Sequence, residues 1–152
     1  MPAKKNEVIA SLRQAYNMEV ETVVNYLANS LHLEGVRADF IKQALATDIQ
    51  EELGHAQQLG NRIKQLGGSV PGSLHLKMTQ KSLEPPEDPT NVVSVIKGVL
   101  QAEEDAIHHY KDIIKQTDGD DYVTQELAIN ILGQEEAHRQ QFEGYLKEYT
   151  KK

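Results

Sequence analysis

Four stretches of the chain repeat apolar residues in alternating steps of four and three, the pattern of a helix with one face buried in a bundle. The first spans about residues 6–33 and follows Leu12, Tyr16, Glu19, Val23, Tyr26 and Ser30, with Gly35 as its stop. The second spans about 38–66 through Ile41, Leu45, Asp48, Glu52, His55, Leu59 and then Ile63 or Arg62, and ends at Gly67-Gly68. The third spans about 91–116 through Ile96, Leu100, Glu103, Ile107, Tyr110 and Ile114. The fourth spans about 121–149 through Thr124, Ala128, Ile131, Glu135, His138, Phe142 and Tyr145. The pattern predicts an all-α chain, an antiparallel four-helix bundle forming a single domain over residues 1–152.

Each seam is broken in its middle by ionisable residues. Glu19, Glu52, His55, Glu103, Glu135 and His138 all stand where an apolar side chain belongs. A buried carboxylate without a partner costs several kcal/mol, so a stack of them calls for a compensating cation. Glu104 lies one step from Glu103 but aligns with Lys97, His108 and Lys111, a solvated face. Glu103 is therefore the interior residue of the two.

Between the second and third helices the pattern fades. Residues 69–89 carry Pro71, Pro85, Pro86 and Pro89. A connection of this length is unusual inside a compact domain. It is long enough to carry the chain back along the bundle between two helix pairs. Asp88-Pro89-Thr90-Asn91 supplies capping residues for the third helix, and Thr117-Asp118-Gly119-Asp120 a turn before the fourth.

Composition narrows the chemistry. At 152 residues the chain can bury a proper core. The absence of Cys excludes disulfides, iron–sulfur clusters and thiolate zinc sites. No apolar run is long enough for a membrane span, and the first residues, Met-Pro-Ala-Lys-Lys-Asn, lack the apolar core of a secretory signal, so a cytoplasmic location is expected. A net charge of -7 argues against general nucleic-acid affinity and suits attraction of metal cations, although it also keeps a protein soluble.

The ionisable seam residues form a repeat. In each half a glutamate precedes a tyrosine by seven positions: Glu19 and Tyr26, then Glu103 and Tyr110. A Glu-x-x-His follows that glutamate after 33 positions in the first half (Glu52, His55) and 32 in the second (Glu135, His138). Residues three apart on a helix share a face, so each Glu-x-x-His can hold one metal. Two such helices facing each other let Glu52 and Glu135 bridge a metal pair, with Glu19, His55, Glu103 and His138 as terminal ligands. Mixed nitrogen and oxygen ligands suit iron or manganese better than calcium or magnesium. A single Glu-x-x-His in a charged helix usually means nothing; two on apolar seams, each preceded by a seam glutamate, are harder to dismiss. Tyr26 and Tyr110 either pack as core residues or steady the ligands one heptad away. Asp48 is a carboxylate on a metal path or a polar residue of no special role. Glu51 and Gln134 either orient the histidines or lie on an exposed face. His32, His75, His108 and His109 lack the spacing and are expected at the surface.

These motifs resemble the ferritin-like superfamily, bacterioferritins and Dps-like ferritins in particular, over nearly the whole chain. The segment from Asn17 to Tyr26 is similar to the first-helix motif of bacterioferritins, and Glu52 with His55 and Glu135 with His138 match the second- and fourth-helix pairs. Glu103 matches the third-helix glutamate, with a spacing to Glu135 one residue shorter than the bacterioferritin pattern. The resemblance implies two iron ions and oxidation of Fe(II) by dioxygen or hydrogen peroxide. It implies storage of the ferric product in a shell, and a homo-oligomer in which 12 subunits are favoured over a dimer. Leu53 stands where bacterioferritins place a haem-ligating Met, so no haem is expected. The fifth helix of larger shells and the Cys-ligated module of rubrerythrins are not expected either.

Three functions fit the sequence. One is a ferroxidase that stores or detoxifies iron. Another is a rubrerythrin-like peroxidase or manganese catalase without storage. The third is a bundle whose metal is purely structural.

Overall fold

The computed structural model describes the backbone from Pro2 to Lys152 and the side chains from Lys4 onward. Four helices carry the fold: α1 (Pro2–His32), α2 (Asp39–Gln65), α3 (Val92–Thr117) and α4 (Tyr122–Thr150). There is no strand among the described residues. α1 starts four residues earlier than the seam suggests, on a proline whose missing N–H needs no partner at the first helical position. The Asn91 side chain caps α3 by accepting the Ser94 N–H at 3.1 Å, and Asp121 caps α4 by accepting the Thr124 N–H at 3.1 Å. Gly35 and Gly67 turn the chain after α1 and α2 with φ of 108° and 88°, angles a side chain would strain.

Contacts between helices fix their directions. Glu19 meets Tyr110 while Tyr26 meets Glu103, so α1 and α3 run antiparallel. Arg62 meets Thr124 while Glu51 meets His138, so α2 and α4 run antiparallel. The short link at residues 33–38 makes α1 and α2 antiparallel as well. α2 and α3 therefore point the same way, and residues 66–91 must traverse the bundle. They do so along α1: Ser69 accepts from Arg13, Lys77 pairs with Asn17, Gln80 with Asn25, Leu83 with Asn29 and Pro89 with Glu34.

This crossover lies close on α3. A Cβ at Gly98 would fall well inside van der Waals contact of the Ser82 carbonyl oxygen, a backbone atom that cannot swing aside. We expect Gly98→Ala to destabilise the fold by roughly 1–3 kcal/mol through this overpacking, read as a lowered thermal midpoint. An unchanged midpoint would show that the crossover shifts freely.

Two apolar cores divide the interior. One gathers Tyr26, Leu33, Ile41, Leu45, Ile96 and Phe142; the other gathers Leu12, Leu59, Ile63, Tyr110, Ile113 and Ile131. The ionisable seam residues lie between them along the helices. The buried positions depart from a strict heptad seam: Tyr16, Val23, Leu100, Ile114 and Tyr145 are only half-buried, whereas Ala15, Thr22, Val99 and Ile113 are interior. A helix of 3.6 residues per turn drifts from a seven-residue repeat, so the inward face slides to a neighbouring residue.

Candidate metal centre

All six seam residues are buried: Glu19, Glu52, His55, Glu103, Glu135 and His138. They come together at the middle of the bundle in two overlapping groups. Glu19, Glu52, His55 and Glu135 each bring one ligand atom within 4.8 Å of the others, and so do Glu52, Glu103, Glu135 and His138. Glu52 and Glu135 belong to both groups, so the geometry places them between two positions. Glu104, by contrast, points outward and pairs with Arg139 at 3.0 Å.

The histidines are aimed. His55 Nδ1 lies 3.1 Å from Glu135 Oε1, 3.4 Å from Glu19 Oε2 and 3.7 Å from Glu52 Oε2. His138 Nδ1 lies 3.3 Å from Glu52 Oε1 and 3.8 Å from Glu103 Oε1. On the far side of each ring, Nε2 faces a partner on the opposite helix: Gln134 Oε1 for His55, and Glu51 Oε2 at 2.8 Å for His138. A neutral imidazole that donates from Nε2 leaves the Nδ1 lone pair directed inward. Glu51 and Gln134 thus do both things foreseen for them, being exposed and orienting the rings.

The tyrosines are crossed between the halves. The Tyr26 hydroxyl donates to Glu103 at 3.0 Å, and the Tyr110 hydroxyl donates to Glu19 at 2.6 Å. Each fixes the terminal carboxylate of the other half rather than its own. Burial, then the facing carboxylates, pushes both phenols well above their usual pKa, so they remain donors.

The electrostatics call for cations. Burial, then the charge of Glu19, pushes Glu52 up to about 7. Burial, then Glu135, raises Glu103 well above the carboxylate range. Burial alone would depress the histidines. The facing carboxylates of Glu52 and Glu51 overcome it and carry His138 up to about 10, and those of Glu135, Glu19 and Glu52 raise His55 as well. Without metal, protons alone can offset the clustered charge. Two dications match four carboxylates. Glu52 Oε1, Glu103 Oε2, Glu135 Oε1 and His138 Nδ1 are buried without a hydrogen-bond partner, free acceptors of the kind a metal uses. The residues therefore fit a pair of first-row ions such as iron or manganese.

A conservative test separates the neighbouring glutamates of α3. We expect Glu103→Gln to weaken divalent-cation binding about tenfold or more and Glu104→Gln to leave it within about twofold, measured by titration of the metal-free protein. The reverse order would place the site one residue round the helix.

Residues around the site were less legible. Gln80 of the crossover donates from its side chain to Thr22 at 3.0 Å, and its backbone N–H donates to the buried Glu21. A small cavity beside the carboxylates is lined by Met18, Thr22, Gln80, Ala102 and Ala106. No periodicity marks Gln80, because its segment has none. Asp48 is buried and lies 3.9 Å from His138 Nε2, and burial lifts its carboxyl to about 6. His32, His75 and His108 are at the surface, but His109 is half-buried with Nε2 2.8 Å from the Ser11 carbonyl oxygen. In the turn before α4, Asp118, Asp120 and Asp121 have partners in Gln125, Lys4 and Arg62. Leu53 is 40% exposed on the outer side of α2.

This fold and site define a ferritin-like bundle with a carboxylate–histidine centre. The chain belongs to the ferritin-like family, whose domain model matches residues 9–151. It is 30% identical over 143 residues to the DNA protection during starvation protein of Pyrococcus furiosus, covering 92% of this chain and 77% of that one. The fold also matches a dodecameric thioferritin, the bacterioferritin-related protein of Bacteroides fragilis. There the TM-score is 0.83 at 26% identity, over 95% of this chain and 87% of the other. Against a ferritin-like, diiron-carboxylate protein of Bacillus anthracis the TM-score is 0.81 at 23% identity, over 96% and 99% of the two chains. No helix among the described residues is long and apolar enough to cross a membrane.

Proposed function

We propose that the protein is a ferroxidase: it binds two Fe(II) per chain, and dioxygen or hydrogen peroxide takes one electron from each. The observation that carries this reading is the pair of ligand groups sharing Glu52 and Glu135. Iron is the substrate here, and it supplies the electrons. Glu52 and Glu135 hold the two ions at a short separation, and Glu19, His55, Glu103 and His138 close the outer positions. Tyr26 and Tyr110 keep Glu103 and Glu19 from turning away. The apolar cores on either side limit water and side reactions. Manganese fits the same ligands, and a peroxidase or catalase reaction without storage is the second reading. Rapid Fe(II)-dependent consumption of oxidant by the purified protein tests the first reading; a protein that consumes hydrogen peroxide only when loaded with manganese supports the second.

The relatives bear on storage. The Bacteroides fragilis protein is dodecameric, and the Pyrococcus furiosus protein is named for DNA protection. We propose a 12-subunit cage that takes up the ferric product. Protection then comes from removing Fe(II) and oxidant rather than from coating nucleic acid, which a net charge of -7 disfavours. Light scattering at micromolar concentration should give a mass near twelve chains. A mass of one chain with full metal content would leave oxidation without a cage.

A further inference from the structure

The two halves of the chain repeat each other motif for motif, but the residues next to the shared glutamates differ. Glu19 corresponds to Glu103, Tyr26 to Tyr110, Glu52 to Glu135 and His55 to His138. One position before the shared glutamates, however, α2 has Glu51 and α4 has Gln134. Four positions before them, α2 has Asp48 and α4 has Ile131. Because α2 and α4 run antiparallel, each histidine faces the other helix's residues. The outer nitrogen of His138 therefore meets a carboxylate, Glu51, with Asp48 beside it, whereas that of His55 meets the neutral amide of Gln134. Asp48, Glu51 and His138 form a third group whose ligand atoms lie within 4.8 Å of one another, and Glu51 is the exposed member. On the equivalent side Ile131 is buried in the apolar core.

This difference acts on the inner site in two ways, both of which favour the His138 position. A carboxylate accepting the Nε2 proton makes the imidazole a more basic ligand through Nδ1, and the extra negative charge attracts a dication toward that position. An amide does neither to the same degree. Glu51 also presents negative charge where α2 and α4 meet solvent, with Asp48 buried behind it, which favours the approach of a cation on this side.

Resting on the dinuclear reading, we propose that the two metal positions are unequal, the one at His138 filling first and holding its cation more tightly than the one at His55. Glu51, with Asp48 beside it, sets this order as a positioning residue, acting through the His138 ring. Gln134 makes the His55 position the exchangeable one.

The test is a titration of metal-free protein with Co(II) alone, followed by its visible ligand-field absorption, with no oxidation involved. The parent should bind in two resolved steps. In Glu51→Gln the first step should weaken by about 10–100-fold, the size typical of removing such a partner, and the two steps should merge. Gln134→Glu should strengthen the second step while leaving the first in place, a gain that mere damage to the fold cannot produce. His138→Ala should delete the tight step and His55→Ala the weak one. Two equal steps in the parent, or an unshifted tight step in Glu51→Gln, would overturn the inequality and leave the dinuclear reading intact. Fewer than two Co(II) per folded chain would remove the dinuclear reading, and the inequality with it.

Discussion

Replacing Glu52 or Glu135 by Ala should abolish iron oxidation while leaving the helices intact. Each carboxylate belongs to both ligand groups, so its loss strips a ligand from both metal positions at once. Loss of a terminal ligand such as Glu19 affects one position only and should leave slower turnover. We expect the rate in Glu52→Ala and Glu135→Ala to fall by at least about 100-fold, more than the loss of a supporting contact produces. The fold should not suffer, because in both variants the removed group is a buried carboxylate crowded by others, and burial raises the pKa of the one at Glu52. The two measurements are oxygen uptake after addition of Fe(II) and the helical circular dichroism signal. Parental rates in either variant would remove the bridging roles.

The metal-free protein should lose stability as pH rises, and added metal should reverse that trend. Glu52 is raised from 4.5 in the unfolded chain to about 7 in the fold, so folding takes up a proton between those values. Its contribution is complete below about pH 4.5 and is lost as pH climbs through about 7. Asp48, raised from 3.8 to about 6, acts in the same direction. His138, raised from 6.5 to about 10, extends the loss upward, since its proton stabilises the fold less and less from about 6.5 to about 10. Glu52 alone accounts for about 3 kcal/mol at its full shift. For a chain of this size that lowers the thermal midpoint by roughly 5–10 °C between mildly acidic and mildly alkaline solution. Divalent ions compete with those protons, so with Zn(II) or Co(II) in excess the midpoint should rise with pH over the same window. A metal-free midpoint that is flat or rising would show that the buried carboxyls are not protonated as described.

The helices were legible because their seams are long and strongly periodic, and the site because it violates those seams. A glutamate between Leu100 and Ile107, or a Glu-x-x-His between Leu45 and Leu59, is visible without coordinates. The exclusion of Glu104 followed from the same phase, and its pairing with Arg139 agrees with it. Other features need the third dimension. The crossing of Tyr26 to Glu103 and Tyr110 to Glu19 depends on α1 and α3 lying side by side and antiparallel, which spacing within each half does not reveal. For Glu51 and Gln134 the sequence left an exposed face and an orienting role as alternatives, and only the approach of α2 to α4 shows that exposed residues reach the histidine rings. The crossover has no period at all, so the reach of Gln80 to Thr22 and Glu21 had no signal in the sequence. Drift of the straight helices away from a heptad repeat explains why Val99 and Ile113 are interior while Leu100 and Ile114 are half-buried.

The central claim is a two-metal oxidation centre inside one chain. Its most direct test is a titration of the metal-free protein with Fe(II) in limited amounts, with oxygen uptake recorded after each addition. We predict a fast phase that grows with added iron and breaks at two Fe(II) per chain, absent in Glu52→Ala. A break at one Fe(II) per chain, or a fast phase that survives in Glu52→Ala, would contradict the account.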